Sequence, residues 1–107
     1  MESFNKVELC GIVGNVRTQK VMNNTVARFS VATTYCSMNK KGEACIETTW
    51  HSVVAWDNES IPVCLLDALE KGTPVFVSGR LRNNRYMDAS GIERTMVEIL
   101  ADSVRRA

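Results

Sequence analysis

A chain of 107 residues, 45% hydrophobic and with a formal net charge of +1, is one small domain that can fold on a single core, and its composition excludes disorder. Its apolar runs are far too short to cross a bilayer, and the N-terminus MESFNKVELC has an early acid and no apolar stretch of signal-peptide type. These features predict a soluble cytoplasmic protein with no membrane partner, while the near-neutral charge decides nothing about nucleic acid.

Strand chemistry dominates the chain. KVELCGIVGNV alternates loosely and holds Gly11 and Gly14, which inside a strand mark a bulge or a sharp bend. VMNNTVARFSVATTY carries a turn signal at Asn23-Asn24, after which Val26, Arg28 and Ser30 alternate with Ala27, Phe29 and Val31. CSMNKKGEAC is polar and reads as a loop leading into the third strand, IETTWHSVVAW. The period then changes. NESIPVCLLDALEKG offers Ser60 or Asn58 as N-cap, Pro62 in the first turn, Ile61, Leu65, Leu66 and Leu69 at helical spacing, and Gly72 as the stop. TPVFVSGRLRNNRYMD is a strand with a glycine bend at Gly79, DASG a tight turn, and IERTMVEILADSV a last strand whose apolar residues alternate only in part. Three strands, one short helix and two strands over residues 1–107 predict an all-β domain, a five-stranded OB-fold barrel.

The four cysteines, Cys10, Cys36, Cys45 and Cys64, show no C-x-x-C spacing and have one histidine to join them, so no metal site is expected. Without a secretion signal they are expected as reduced thiols serving as small apolar residues. Catalysis finds no footing either. His51 is mid-strand, GIVGNV has G-x-x-G spacing with no helix after it, and the carboxylates form no pair. The chain is read as no enzyme and as needing no cofactor.

Binding has more support. In ETTWHSVVAW, strand alternation puts Trp50, Ser52, Val54 and Trp56 on one side, and Thr49, His51, Val53 and Ala55 on the other. A single tryptophan is usually core, but two on a face shared with Ser52 point outward. Exposed rings flanked by cations are what single-stranded nucleic acid needs for stacking and phosphate neutralisation. Tyr86 follows Arg80, Arg82 and Arg85 in such a pattern. Charge is also segregated. Leu9 to Gly42 has five bases and no acid, Glu43 to Glu70 six acids and no Lys or Arg, and Lys71 to Met87 four bases and no acid. Folding can gather the two basic segments into one groove, or leave them as ordinary solvated edges.

These residues carry a resemblance. NKVELCGIVGNV, ARFSVATT, TTWHSVVAW, LEKGTPVFVSGRLR and RYMDASGIERTMVEILAD, in that order, resemble the bacterial single-stranded DNA-binding proteins, an OB-fold family, over nearly the whole chain. The resemblance implies a homotetramer that coats single-stranded DNA without sequence preference in replication, recombination and repair. It implies base stacking on Trp50, Trp56 and Tyr86, phosphate contacts from Lys6, Lys20, Lys71, Arg82 and Arg85, and a subunit-interface role for His51. Some features depart from the pattern. The loop after the second strand lacks a further tryptophan, for which Tyr35 is an imperfect substitute, and VRTQ replaces the usual turn after the second glycine. The chain stops at Arg105-Arg106-Ala107 with no acidic tip, so recruitment of replication or repair proteins is expected only if such a tip follows Ala107. Two other readings stand beside this one: a tailless OB-fold interaction protein resembling primosomal replication protein N, and a cold-shock-like RNA-binding barrel, for which the aromatic-rich strand is missing.

Overall fold

Five long strands curl into a closed barrel. The computed structural model describes residues 1–107. In chain order the elements are β1 (Val7–Val21), β2 (Asn24–Met38), β3 (Ala44–Trp56), α1 (Val63–Ala68), β4 (Pro74–Met87) and β5 (Glu93–Arg106). The strands close in the order β1-β2-β3-β5-β4. Four of the five seams are antiparallel, and β3 and β5 meet in a short parallel contact, Val53 opposite Ile99 and Val54 opposite Leu100. This is the five-stranded barrel with its helix between the third and fourth strands that the pattern of residues predicts.

Inward-facing residues of each strand build one core. Val13, Ala27, Phe29, Val31, Val53, Ala55, Val75, Val77, Ile99, Ala101 and Val104 form its wall, and Ile61, Leu66 and Leu69 join them from the helical segment. Two bulges set which residues face in. Between Val13 and Val16 the register of β1 advances three residues while β2 advances two, so β1 carries one extra residue at Gly14-Asn15. Val13 points in before the bulge and Val16 packs against the core after it. In β5, Asp102 has no partner on β4, so Val104 and Ala101 both face the core. That extra residue brings Val104 into phase with Ala101, while Leu100, on the outer face beside core Ile99, breaks the alternation ahead of it.

Several local expectations change. CSMNKKGEAC is not mainly loop: β2 and β3 pair from Val26 opposite Trp56 out to Met38 opposite Ala44, leaving a turn of five residues at its tip. Strand-forming Cys36, Ile46 and their neighbours continue the ladder beyond the barrel wall. The first turn falls one residue earlier than Asn23-Asn24 suggests. Val21 pairs with Asn24, and Met22 takes the left-handed conformation with φ of 58°. The helix is shorter than expected, with Pro62 itself at the N-cap and no side-chain cap. Asn58 instead folds its side chain onto the Ser60 N–H at 2.7 Å, and its backbone bridges to Ile61. A proline donates no N–H, so the chain enters the helix there at no hydrogen-bond cost. The cysteines are not core residues, since all four are free and exposed. Cys36 lies opposite Ile46 and Cys45 opposite Ser37, so the two side chains of this hairpin point to opposite faces.

Candidate functional site

On the outer wall of the barrel, β2 and β3 present a row of paired residues. Trp50 lies opposite Ala32, Ser52 opposite Ser30, Val54 opposite Arg28, and Trp56 opposite Val26. Trp50 is 61% exposed and Trp56 37%. At about 3.3 Å per residue, the two indoles stand roughly 20 Å apart along the strand. The floor beneath Trp50 is Gly14 of the β1 bulge. A Cβ built on Gly14 lies 2.5 Å from Trp50 Cζ3 and 2.7 Å from Ser30 Oγ. Only a residue without a side chain lets the indole lie down on β1 there. Ser30 Oγ also accepts the Asn15 N–H at 2.9 Å, which secures the bulge.

The loop after α1 brings in a cation. Gly72 N–H donates to the Val13 carbonyl at 2.8 Å, and Val13 N–H donates to the Thr73 carbonyl at 2.9 Å. Gly72 has φ of 95°, a left-handed turn that glycine adopts freely. The loop is thereby strapped to β1, and Lys71 lines one hollow with Trp50, Gly14, Asn15 and Ser30.

The β4–β5 hairpin supplies the other side. Arg80, Arg82 and Tyr86 alternate with Leu81, Asn83 and Arg85 along β4 and lie opposite Leu100, Glu98 and Arg94 of β5. Through the β3–β5 contact, Leu100 shares a face with Val54, so Arg80, Arg82 and Tyr86 share the wall that holds the indoles. Tyr86 is 44% exposed. Its turn is held by Asp88, whose carboxylate accepts the Ser90 and Ile92 N–H groups and Arg94 Nε–H, the last at 2.6 Å. The bond from Arg94 first, and those backbone bonds with it, hold the Asp88 carboxyl below its ordinary pKa.

Not every residue singled out in the sequence arrives there. The β1 bulge turns Lys20 to the opposite face, where it pairs with buried Thr25, and brings Arg17 out beside Arg28. Arg85 is on the far face of the β4–β5 hairpin from Arg82, 3.7 Å from Glu93. Lys6 precedes β1 and is paired with Glu8 at 2.9 Å, while its neighbour Asn5 clips to the backbone of Leu81. His51 is half-buried, its Nε2 2.8 Å from Thr33 Oγ1. Tyr35 faces away from Trp50, since the row Trp50, Thr48, Ile46 runs beside Thr34 and Cys36 rather than Tyr35. Three residues that no sequence motif singles out do arrive: Arg17, Arg28 and Glu98. All three line the hollow that continues the Trp50 wall through Ser30 and Ser52. Glu98 is only 1% exposed.

Comparison with known proteins fits this geometry. Residues 4–107 match the model of the single-strand binding protein family. The chain belongs to that family. Among its relatives, a single-stranded DNA-binding protein of Neisseria meningitidis is 31% identical over 105 residues, 96% of this chain and 59% of that protein. One from Xanthomonas campestris is 32% identical over 104 residues, 95% of this chain and 59% of the relative. A mitochondrial single-stranded DNA-binding protein of Danio rerio is 30% identical, aligned over 96% of this chain and 75% of that protein. The chain thus spans about three fifths of the bacterial relatives it matches. In structure this family member is similar to a Plasmodium falciparum homologue solved in complex with single-stranded DNA, with a TM-score of 0.84, 27% identity, and 100% of this chain and 97% of that chain covered. No helix is long and apolar enough to cross a membrane.

Proposed function

We propose that this chain binds single-stranded DNA without sequence preference, as a homo-oligomer, in replication, recombination and repair. Bases stack on Trp50, Trp56 and Tyr86, since every base has a flat face and stacking reads none of its edges. Phosphates pass between Lys71 on one side and Arg17, Arg28, Arg80 and Arg82 on the other, so affinity falls as salt rises. The observation that carries this reading is Trp50: a largely exposed indole seated on a glycine, with a lysine against it and a second indole further along the same wall. The family membership and the likeness to a homologue solved with single-stranded DNA support it. The reading involves no catalysis.

The homotetramer implied by the resemblance belongs to the same proposal. Val7–Cys10 pairs with β4 on one edge, while pairing to β2 begins only at Ile12. That leaves a free strand edge for a second copy to extend. The test of function is a fluorescence titration of the native protein with oligo-dT. Binding should quench the tryptophan signal, and Trp50→Ala should weaken binding by about 1–3 kcal/mol, the worth of one stacked base. Unchanged fluorescence at saturating oligo-dT, with the protein folded, overturns the stacking mechanism.

A further inference from the structure

The least solvated charge on the groove wall is not a cation. Glu98 sits on the outer face of β5, the face it shares with Arg80, Arg82 and Val54, yet its side chain is 1% exposed. Arg82 donates to Glu98 Oε1 through Nε at 3.0 Å and Nη2 at 2.7 Å. The other oxygen, Oε2, is buried and accepts no hydrogen bond; Arg28 Nη1 stands 3.5 Å from it. A buried carboxylate is tolerated only when paired, so Glu98 needs these guanidiniums close. The guanidiniums need Glu98 less, since Arg28 and Arg82 are 52% and 38% exposed. An acid under two arginines in a groove built for an anion lowers its positive potential, and a surface selected for charge alone would omit it.

We propose that Glu98 is a positioning residue of the DNA-binding groove, a buried acid that fixes Arg82 by hydrogen bonds and keeps Arg28 beside it by charge, with their outward N–H groups free for phosphate. The inference rests on the DNA-binding reading above. A guanidinium has five donors in a rigid fork, so one edge can stay on Glu98 while the other meets a phosphate. Arg82, held through two N–H groups, is the fixed member. Arg28, without a hydrogen bond to the acid, turns toward phosphate at little cost. Order won in advance leaves less side-chain entropy to lose on binding.

The decisive measurement exploits a conflict of sign. If Glu98 only lowers the potential, Glu98→Gln raises the net charge of the groove, tightens binding to oligo-dT and leaves the salt dependence as steep or steeper. If Glu98 positions the arginines, the same variant binds more weakly, by about tenfold for one charge-assisted hydrogen bond. Its log–log salt slope should also become shallower, by about 0.7 for each phosphate no longer neutralised. In an Arg28→Gln, Arg82→Gln background Glu98→Gln should weaken binding no further. Tighter or equal binding by folded Glu98→Gln, or full additivity, overturns the proposal. Should that variant fail to fold, the native protein provides the second arm by NMR of arginine side chains. The Arg82 Nε–H should resist solvent exchange before DNA is added, and the Arg28 guanidinium should slow its exchange on adding oligo-dT. Rapid exchange of both in both states overturns the proposal as well. Failure of the native protein to bind oligo-dT defeats the DNA-binding reading itself, and this inference with it. Native binding combined with an unweakened Glu98 variant defeats the inference alone.

Discussion

Replacing Gly14 by alanine tests the seat of Trp50 without touching the ring. The added Cβ falls 2.5 Å from Trp50 Cζ3, 3.1 Å from Cη2 and 2.7 Å from Ser30 Oγ. Carbon atoms rest about 3.5–4.0 Å apart, so the indole must retreat by about 1 Å or swing away. Because the ring is 61% exposed, it moves without opening the core. Folding then loses at most the bond from Asn15 N–H to Ser30 Oγ, about 1 kcal/mol. The reduced freedom of the unfolded chain offsets about 0.4–1 kcal/mol of that. Thermal stability should therefore stay within a few degrees of the native protein. Binding should not, since a displaced platform forfeits much of a stacking interaction of about 1–3 kcal/mol, a loss near tenfold at its middle. Fluorescence titration with oligo-dT reads affinity, and circular dichroism melting reads stability. In a Trp50→Ala background the Gly14 substitution should have no further effect on binding. Native affinity and native quenching in Gly14→Ala refute the reasoning, because the seat would then not matter. An equal loss with and without Trp50 refutes it too, because the glycine would then act through something other than the ring.

Other consequences concern the carboxylates. Arg82→Ala removes both hydrogen bonds to buried Glu98 while leaving Arg28 at 3.5 Å, so it should destabilise by about 3 kcal/mol, the low end for a broken buried pair. Denaturant unfolding measures it, and a change below about 0.5 kcal/mol would show that the acid is satisfied without Arg82. Asp88 has its pKa depressed in the folded chain, so its bonds contribute order that is complete above its ordinary value of 3.8 and lost as pH falls through the lower folded value. An NMR titration should place its midpoint below 3.8, and Arg94→Gln should raise it. A native midpoint at or above 3.8 contradicts the turn geometry.

The strands themselves are legible in the sequence because their signals are local. Ala27, Phe29 and Val31 alternate with Val26, Arg28 and Ser30, and the former three are the ones in the core. The helical spacing of Leu65, Leu66 and Leu69 identifies α1, but the start of the helix is displaced because Asn58 Oδ1 accepts the Ser60 N–H and Asn58 bridges to Ile61 in a turn first. The lysines, asparagine and glycine between β2 and β3 suggest a loop longer than the one that forms. Strand pairing overrides that composition up to Met38 and Ala44. Reduced thiols usually lie in a core, yet Cys10 alternates outward on β1, Cys36 and Cys45 sit on the hairpin beyond the barrel wall, and Cys64 lies on the exposed side of α1.

Alternation along a single strand depends on covalent geometry, so the sequence by itself determined the element order, the barrel class and the outward row of Trp50, Ser52 and Trp56. Which cations join that row depends on bulges and on barrel closure. One extra residue in β1 reverses the facing of everything after it, sending Lys20 away and Arg17 to the groove. Closure of β5 against β3 and β4 carries Glu98 beneath Arg28, seventy positions earlier in the chain. No local pattern encodes either event, because each is settled by pairing between strands distant in sequence. Only the tertiary structure therefore decided the charge of the wall and the glycine seat of its indole.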